Sequence, residues 1–210
     1  MGISHSVPLR AALEDICAAL KISVATLRDA ELPFLLGGSV AVWARGGPEP
    51  RKDLDLMVRP EHTDAALEAL AATGMRTERP PEEWLFKAWY NDVLIDLIFG
   101  PSGLELDDDV FARGDEIPIL AVNTPVMALE DVLVTKLRSL DEHGLDYEPL
   151  VAIARSLREQ IDWRSLWERT SDSPFARAFF TLAEGLEIAP PRSASAETPS
   201  ASSRVRVLRD

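Results

Sequence analysis

The chain has 210 residues, 46% of them hydrophobic and 27% charged, which is typical of a globular protein with one domain and at most a small companion. Its formal net charge of -13 excludes a protein that binds nucleic acid through a broad basic surface, because that mode needs many lysines and arginines. A basic protein partner or a cationic small substrate is compatible with this charge.

The sequence contains no feature that predicts a membrane protein or a disulfide. No segment approaches the roughly 20 consecutive apolar residues of a membrane span, and the start lacks a signal-peptide pattern. The single cysteine, Cys17, lies among helically spaced apolar residues, which predicts a buried side chain and excludes a disulfide within the chain. We therefore expect a cytoplasmic protein with no membrane partner.

Hydrophobic periodicity and turn residues predict a mixed arrangement of helices and strands in the first part of the chain. One or two helices are predicted over 8–29, a strand over 32–36, a helix over 39–45, a strand over 53–58, a helix over 60–73 and an edge strand over 75–78. Two runs of aromatic and β-branched residues, 84–90 and 93–99, are separated by Asn91-Asp92, a two-residue hairpin signal. A loop over 100–114 and a last strand over 117–122 follow.

From Thr124-Pro125 onward the pattern predicts helices only, with the threonine as cap and the proline in the first helical position. These helices cover about 125–140, 149–160, 163–170 and 174–186. The final segment is rich in Pro, Ser, Ala and Thr, which predicts disorder over 191–210. The predicted fold class is α+β, with a core and N-terminal helices over 1–123, a helical region over 124–190 and a tail over 191–210.

A glycine turn and an acidic strand together predict a site for a nucleoside triphosphate and a divalent metal. Gly37, Gly38 and Ser39 lie between the strand at 32–36 and the following helix. Such a turn can bind phosphate, because free backbone N–H groups and the positive end of the helix dipole point at it. Asp53 and Asp55 occur two residues apart in the next strand, so both project from one face.

Asp96 is preceded and followed by three apolar residues, which predicts a strand buried on both faces. An unpaired carboxylate there is unfavourable, so a basic partner, protonation or a metal ion must compensate for it. Lys87 in the neighbouring strand is one candidate partner. The favoured interpretation is a third ligand beside Asp53 and Asp55, because carboxylate oxygens suit Mg²⁺ and two such ions can align an in-line displacement at phosphorus.

The combined pattern resembles the signature of the DNA polymerase β-like nucleotidyltransferase superfamily over roughly residues 32–100. The matching positions are Gly38, Ser39, Asp53, Asp55 and Asp96. The resemblance implies a short mixed β-sheet with helices, followed by a C-terminal helical bundle. It also implies that the glycine turn holds a triphosphate, that the paired acids hold two Mg²⁺ (Mn²⁺ is the alternative), and that the third acid helps to activate an attacking hydroxyl.

Two further residues are candidates for nucleotide binding. Lys136 lies beside the apolar stripe of the predicted 125–140 helix, where it either extends along the surface to solvent or contacts the triphosphate. The segment from Lys136 to Asp146 resembles the lysine-then-aspartate region of AbiEii-like toxins. Asp146 is equally explained as the N-cap of the next helix. The basic-plus-threonine run that often precedes the Asp pair in those toxins is reduced here to Arg51-Lys52.

The resemblance implies transfer of a nucleoside monophosphate from an NTP to an acceptor hydroxyl or phosphate, with release of pyrophosphate. One hypothesis is an enzyme of the toxin-antitoxin or abortive-infection type that modifies tRNA or protein, for which a cognate antitoxin is a candidate partner. The alternative is an antibiotic nucleotidyltransferase that modifies a small cationic molecule of the aminoglycoside or lincosamide type. A catalytically inactive interaction module is the third, and the presence of all three aspartates argues against it.

Overall fold

The computed structural model describes residues 9–50 and 53–191. The Arg51-Lys52 pair and the predicted disordered tail, apart from residue 191, lie outside these ranges. The strands are β1 (Phe34–Leu36), β2 (Asp53–Val58), β3 (Arg76–Glu78), β4 (Leu85–Tyr90), β5 (Val93–Ile98), β6 (Asp115–Ile119) and β7 (Val122–Val126). The helices are α1 (Leu9–Asp29), α2 (Gly38–Ala44), α3 (Thr63–Ala72), α4 (Asp108–Ala112), α5 (Leu129–Arg138), α6 (Glu148–Leu157), α7 (Trp163–Thr170) and α8 (Pro174–Gly185). A short 3₁₀ helix, Pro60–His62, precedes α3.

The strands form one seven-stranded mixed sheet in the order β3-β4-β5-β2-β1-β7-β6. β2 pairs parallel with β5 and antiparallel with β1, and β1 pairs parallel with β7. The mixed sheet followed by helices confirms the predicted α+β fold class. β3 lies at one edge, as its short polar sequence predicts, and β4 and β5 form the predicted hairpin at Asn91-Asp92, with Asn91 at a φ of 51°.

The predicted helix start at Thr124-Pro125 is wrong, because these residues lie in β7. Thr124 is fully buried and pairs with Ile117, so a second hairpin replaces the single predicted strand. Its two turn residues, Leu120 and Ala121, both have positive φ but carry none of the Gly, Asn or Asp that normally marks such a turn. The predicted boundary between residues 123 and 124 therefore falls within a strand, and the C-terminal helices begin at Leu129.

The predicted loop over 100–114 contains a helical turn, α4. Asp107 caps it by accepting a hydrogen bond from the backbone N–H of Val110 at 2.9 Å. The expectation for Cys17 is also corrected, since its side chain is only half-buried on α1. None of the helices within the described ranges combines the length and the apolarity needed to cross a bilayer.

The two faces of the central strands have different environments. On one face Leu54, Leu56 and Val58 of β2 are completely buried, and α1 and α3 both pack on strands of the sheet. Residues 53 and 55 alternate with them and remain half-buried on the opposite face. The period-two alternation of β2 thus gives the sheet one packed face and one face on which polar side chains are accessible.

Helix α5 connects the sheet to the C-terminal helices and contacts α2, α6, α7 and α8. Its residue Asp131 is completely buried between two arginines. Arg113, at the end of α4, donates to its carboxylate at 3.2 and 3.3 Å, and Arg169 of α7 donates to Oδ1 of the same carboxylate. A buried carboxylate paired in this way ties α5 to elements on both sides, and so fixes the helix that carries Lys136.

Candidate nucleotide and metal site

The three aspartates predicted from the sequence converge at one point of the sheet. β2 and β5 are parallel neighbours, and their register places Asp55 beside Asp96, with Asp53 two residues before Asp55. One carboxylate oxygen from each residue lies within 4.8 Å of the other two. Such spacing suits a cluster of ligands around divalent cations better than three separately solvated acids.

The glycine turn packs directly on this cluster. Gly38 has a φ of +55°, and a Cβ added to it would lie 1.6 Å from Oδ2 of Asp55. Only glycine therefore fits, both because of the left-handed backbone and because the carboxylate occupies the space. The backbone N–H of Gly37 donates to the carbonyl oxygen of Asp55 at 2.9 Å, which joins the turn to β2.

Ser39, the first residue after the glycines, contributes two polar groups. Its backbone N–H donates a hydrogen bond to the Asp55 carboxylate and thereby lowers the pKa of Asp55 slightly. Its Oγ is buried and has no hydrogen-bond partner among the described residues. A buried hydroxyl without a partner is unfavourable, and a ligand in the adjacent cavity would satisfy it.

The cluster carries more negative charge than its environment compensates. Burial raises the pKa of Asp55 to about 7, with further contributions from Asp53 and Asp96, while Lys136 acts in the opposite direction. Burial and the charge of Asp53 raise the pKa of Asp96 to about 6, and Lys87 opposes this shift. Bound divalent cations would favour the ionised carboxylates.

The environment of Asp96 differs in one respect from the prediction. β5 is buried on one face only, since Val93, Ile95 and Leu97 are buried, whereas Asp96 lies on the half-open face. Lys87 is its neighbour on β4, but no described residue donates a hydrogen bond to Asp96 Oδ1, which is buried. The lysine therefore does not replace a ligand. The set of hard oxygen donors and this unpartnered oxygen fit a divalent cation.

A cavity of about 380 Å³ opens beside the cluster, between α2 and α6. It brings together four of the predicted site residues, Ser39, Asp53, Lys136 and Asp146. Asp146 also accepts a hydrogen bond from the backbone N–H of Glu148 at 3.3 Å, so it lines the cavity and stabilises the start of α6 as well. Lys136 reaches the cavity from α5, on the side of the aspartates.

The remaining residues that line the cavity were not predicted from the sequence. They are Val42, Pro48, Glu49, Glu148, Pro149, Ala152 and Ile153. The apolar members belong to segments that read as ordinary helix faces and loops, and no sequence pattern reveals that α6 lies across from α2. The acidic members occur among many other exposed acids. Only the three-dimensional arrangement distinguishes them.

Comparison with known proteins supports the fold. No protein-family model matches the sequence, and no curated protein matches it. Among solved structures, the antibiotic-resistance factor ANT(2'')-Ia matches 82% of this chain and 95% of its own, with a TM-score of 0.51 and 19% identity. An antigenic nucleotidyltransferase-like protein from Paracoccidioides brasiliensis matches 86% of this chain and 96% of its own, with a TM-score of 0.52 and 12% identity.

The chain has the nucleotidyltransferase fold. A third structure, JHP933 from Helicobacter pylori, covers 89% of this chain and 81% of its own with a TM-score of 0.51 and 15% identity. At such identities the similarity establishes the fold, and the chemistry of this nucleotidyltransferase-fold protein has to be argued from its own site.

The contact between Gly38 and Asp55 predicts a sharp effect of one methyl group. Gly38→Ala would displace the Asp55 carboxylate or the turn, and we expect Mg²⁺ affinity, measured by calorimetry, to fall at least about tenfold. Gly185→Ala is the matched control, because a Cβ there meets no atom within 4 Å. Equal Mg²⁺ affinity of the two variants would contradict the proposed ligand role of Asp55.

The raised pKa of Asp55 predicts that, without metal, its ionised carboxylate lowers the free energy of unfolding at and above neutral pH. The folded state binds this proton more tightly than the unfolded state, so the contribution to stability is favourable at acidic pH and is lost as pH rises toward 7. Asp55→Asn should therefore raise the melting temperature at pH 8 by about 3–8 °C in the presence of a chelator.

At pH 5 we expect a smaller difference between Asp55→Asn and the unchanged protein, because the folded state then keeps the carboxyl group protonated. The difference should vanish only below the ordinary pKa of 3.8, where the unfolded state is protonated as well. Differential scanning calorimetry across this pH range measures both values. Glu83→Gln, at an exposed loop position, provides the control for removing one negative charge. A lower melting temperature for Asp55→Asn at pH 8 would show that the carboxylate stabilises the metal-free fold and would refute this electrostatic account.

Proposed function

We propose that the protein is a metal-dependent nucleotidyltransferase, which transfers a nucleoside monophosphate from an NTP such as ATP to an acceptor. The observation that carries this proposal is the convergence of Asp53, Asp55 and Asp96 within 4.8 Å beside a cavity that also contains Ser39 and Lys136. A cluster of ligands for divalent cations next to groups that favour phosphate is what phosphoryl chemistry requires. The nucleotidyltransferase fold supports the same assignment.

In the proposed reaction an acceptor hydroxyl oxygen forms a bond to the α-phosphorus, and the bond from this phosphorus to the bridging oxygen of the β-phosphate breaks. Pyrophosphate leaves, and the acceptor loses one proton. The three aspartates would hold Mg²⁺ or Mn²⁺, which when bound supplies charge that stabilises the oxygens around the reacting phosphorus.

The residues of the chain act mainly by positioning and by charge. Lys136 would hold the triphosphate and stabilise the negative charge on the departing pyrophosphate. The Ser39 hydroxyl, which lacks a partner, would donate to a phosphate oxygen. Asp96 would bind the cation through its unpartnered oxygen, and its negative charge beside the acceptor hydroxyl would favour loss of the proton.

Two acceptor classes each have an observation in their favour. A tRNA or protein acceptor, as in the toxin-antitoxin or abortive-infection type, is supported by the resemblance of the Lys136–Asp146 segment, since both residues line the cavity. Such an enzyme would have a cognate antitoxin as a further partner. A small cationic antibiotic is supported by the net charge of -13 and by the likeness in fold to an antibiotic-resistance factor.

Transfer can be measured directly with each of the four NTPs labelled at the α-phosphate, in the presence of Mg²⁺ and separate pools of tRNA, cell protein and aminoglycosides. We expect label on one pool only, and a loss of at least about 100-fold with Asp53→Asn, because the cation then lacks a ligand. Asp109→Asn, on the exposed side of α4, is the control and should retain activity.

The pool that carries the label identifies the acceptor class. Label on tRNA or protein excludes the antibiotic hypothesis, and label on the aminoglycoside excludes the toxin hypothesis. If no pool is labelled and no NTP binds in the presence of Mg²⁺, the protein is an inactive interaction module that has only the fold.

A further inference from the structure

A row of paired residues runs from the aspartate cluster across the sheet to its edge. Asp53 of β2 is paired with Leu94 of β5, which is paired with Trp89 of β4. Trp89 in turn is paired with Arg76 of β3, the edge strand. Residues paired in this way project from the same face of a sheet. These side chains therefore share the face that carries the three carboxylates.

The outer part of this row combines an aromatic ring with a positive charge. Trp89 and Leu94 are half-buried, and the side chain of Arg76 is 64% exposed. The guanidinium carbon of Arg76 lies 3.4 Å from the centroid of the indole ring, which is a cation–π contact. Arg76, Trp89 and Leu94 together form the Trp89 platform.

The neighbouring row adds a second cation. Asp96 is paired with Lys87 of β4, and Lys87 with Glu78 of β3, two residues along the strands from Trp89. Lys87 lies close enough to Asp96 to oppose the rise in the pKa of that carboxyl. Glu78 and Arg76 lie 3.7 Å apart at exposed positions, where an ion pair is weak. A ligand phosphate can therefore compete with Glu78 for the arginine.

The platform and the cavity that contains Lys136 lie on opposite sides of the carboxylates. β5, β4 and β3 follow β2 on one side of the sheet, whereas β1, which leads into α2 at the cavity, follows on the other. In an in-line displacement the attacking oxygen and the leaving group lie on opposite sides of the phosphorus. With pyrophosphate held at Lys136, the acceptor would approach over β5 and the platform.

The charges on the platform distinguish the two acceptor classes. A cationic antibiotic would bring ammonium groups next to Arg76 and Lys87, and Arg76 already occupies the position over the indole that a cation would take. A nucleobase can stack on an indole or a guanidinium plane, and its phosphate is attracted to both cations. Glu78 and the exposed Asp92 restrict the positive charge to this spot, so only the end of an RNA strand fits.

We propose that the Trp89 platform binds the 3′ end of a single-stranded RNA acceptor, with a base stacked on Trp89 and a phosphate beside Arg76. Strands lie about 4.8 Å apart and rise about 3.3 Å per residue, so the Cα atoms of Trp89 and Asp96 lie roughly 8 Å apart, within reach of one nucleotide. The terminal ribose hydroxyl oxygen forms the bond to the α-phosphorus, pyrophosphate leaves and the hydroxyl proton is released. This inference rests on the proposed nucleotidyl transfer and names its acceptor.

The test is transfer of label from each α-labelled NTP, with Mg²⁺, to a single-stranded RNA dodecamer by the full-length protein. We expect Trp89→Ala to raise the KM for the RNA about 5- to 100-fold, the effect of one lost base stack, and to leave the KM for the NTP the same. Trp89→Phe keeps a ring on which a base can stack and should restore most of the RNA affinity. Periodate-oxidised RNA, which lacks both terminal hydroxyls, should accept no label.

A second variant tests the charge separately from the ring. With Arg76→Gln the logarithm of RNA affinity, measured by fluorescence anisotropy, should fall with the logarithm of salt concentration less steeply by about 0.7, as expected for one lost phosphate contact on a single strand. Trp84→Ala is the matched control, because Trp84 is 45% exposed and precedes β4 outside the row. It should leave the KM for the RNA unchanged.

Two results would overturn the RNA platform. One is an RNA that is labelled with the same KM by the unchanged protein, Trp89→Ala and Arg76→Gln. The other is label on protein or an aminoglycoside and none on RNA. If circular dichroism shows that Trp89→Ala does not fold, the salt dependence of Arg76→Gln decides. Failure of every NTP to bind with Mg²⁺ would instead contradict the nucleotidyltransferase proposal itself.

Discussion

The close approach of Gly38 to the carboxylate of Asp55 is the contact on which the site depends. It fixes the glycine turn against β2, and the parallel pairing of β2 with β5 then sets Asp96 beside the same carboxylate. Three acids so placed are unfavourable in the absence of a cation, as the raised pKa values of Asp55 and Asp96 indicate. Proteins keep such an arrangement where function requires it, at some expense of stability.

The second constraint is the placement of Lys136, which no strand of the sheet carries. Helix α5 holds it, and this helix is fixed by the buried carboxylate of Asp131 between Arg113 and Arg169. The C-terminal helices thus do more than cover the sheet. They close the cavity with α6 and bring Lys136 to the side of the aspartates.

Much of the site could be predicted because its parts are local in sequence. The period-two alternation placed Asp53 and Asp55 on one face, and the charge inside an apolar strand singled out Asp96. The β6–β7 hairpin could not be predicted, since Leu120 and Ala121 adopt positive φ without a residue type that favours it. The cavity wall forms because α6 lies across from α2. Packing between segments so far apart in the chain leaves no periodic pattern in the sequence from which it could be predicted.

The proposed transfer requires that the three carboxylates bind its cations. Anomalous diffraction from crystals grown with Mn²⁺ and a non-hydrolysable NTP tests it most directly, because the metal positions are then seen independently of any model of the reaction. We expect Mn²⁺ within about 2.0–2.4 Å of oxygens from Asp53, Asp55 and Asp96, with the triphosphate directed toward Lys136. Nucleotide bound with no metal at these carboxylates, or metal bound elsewhere, would contradict it.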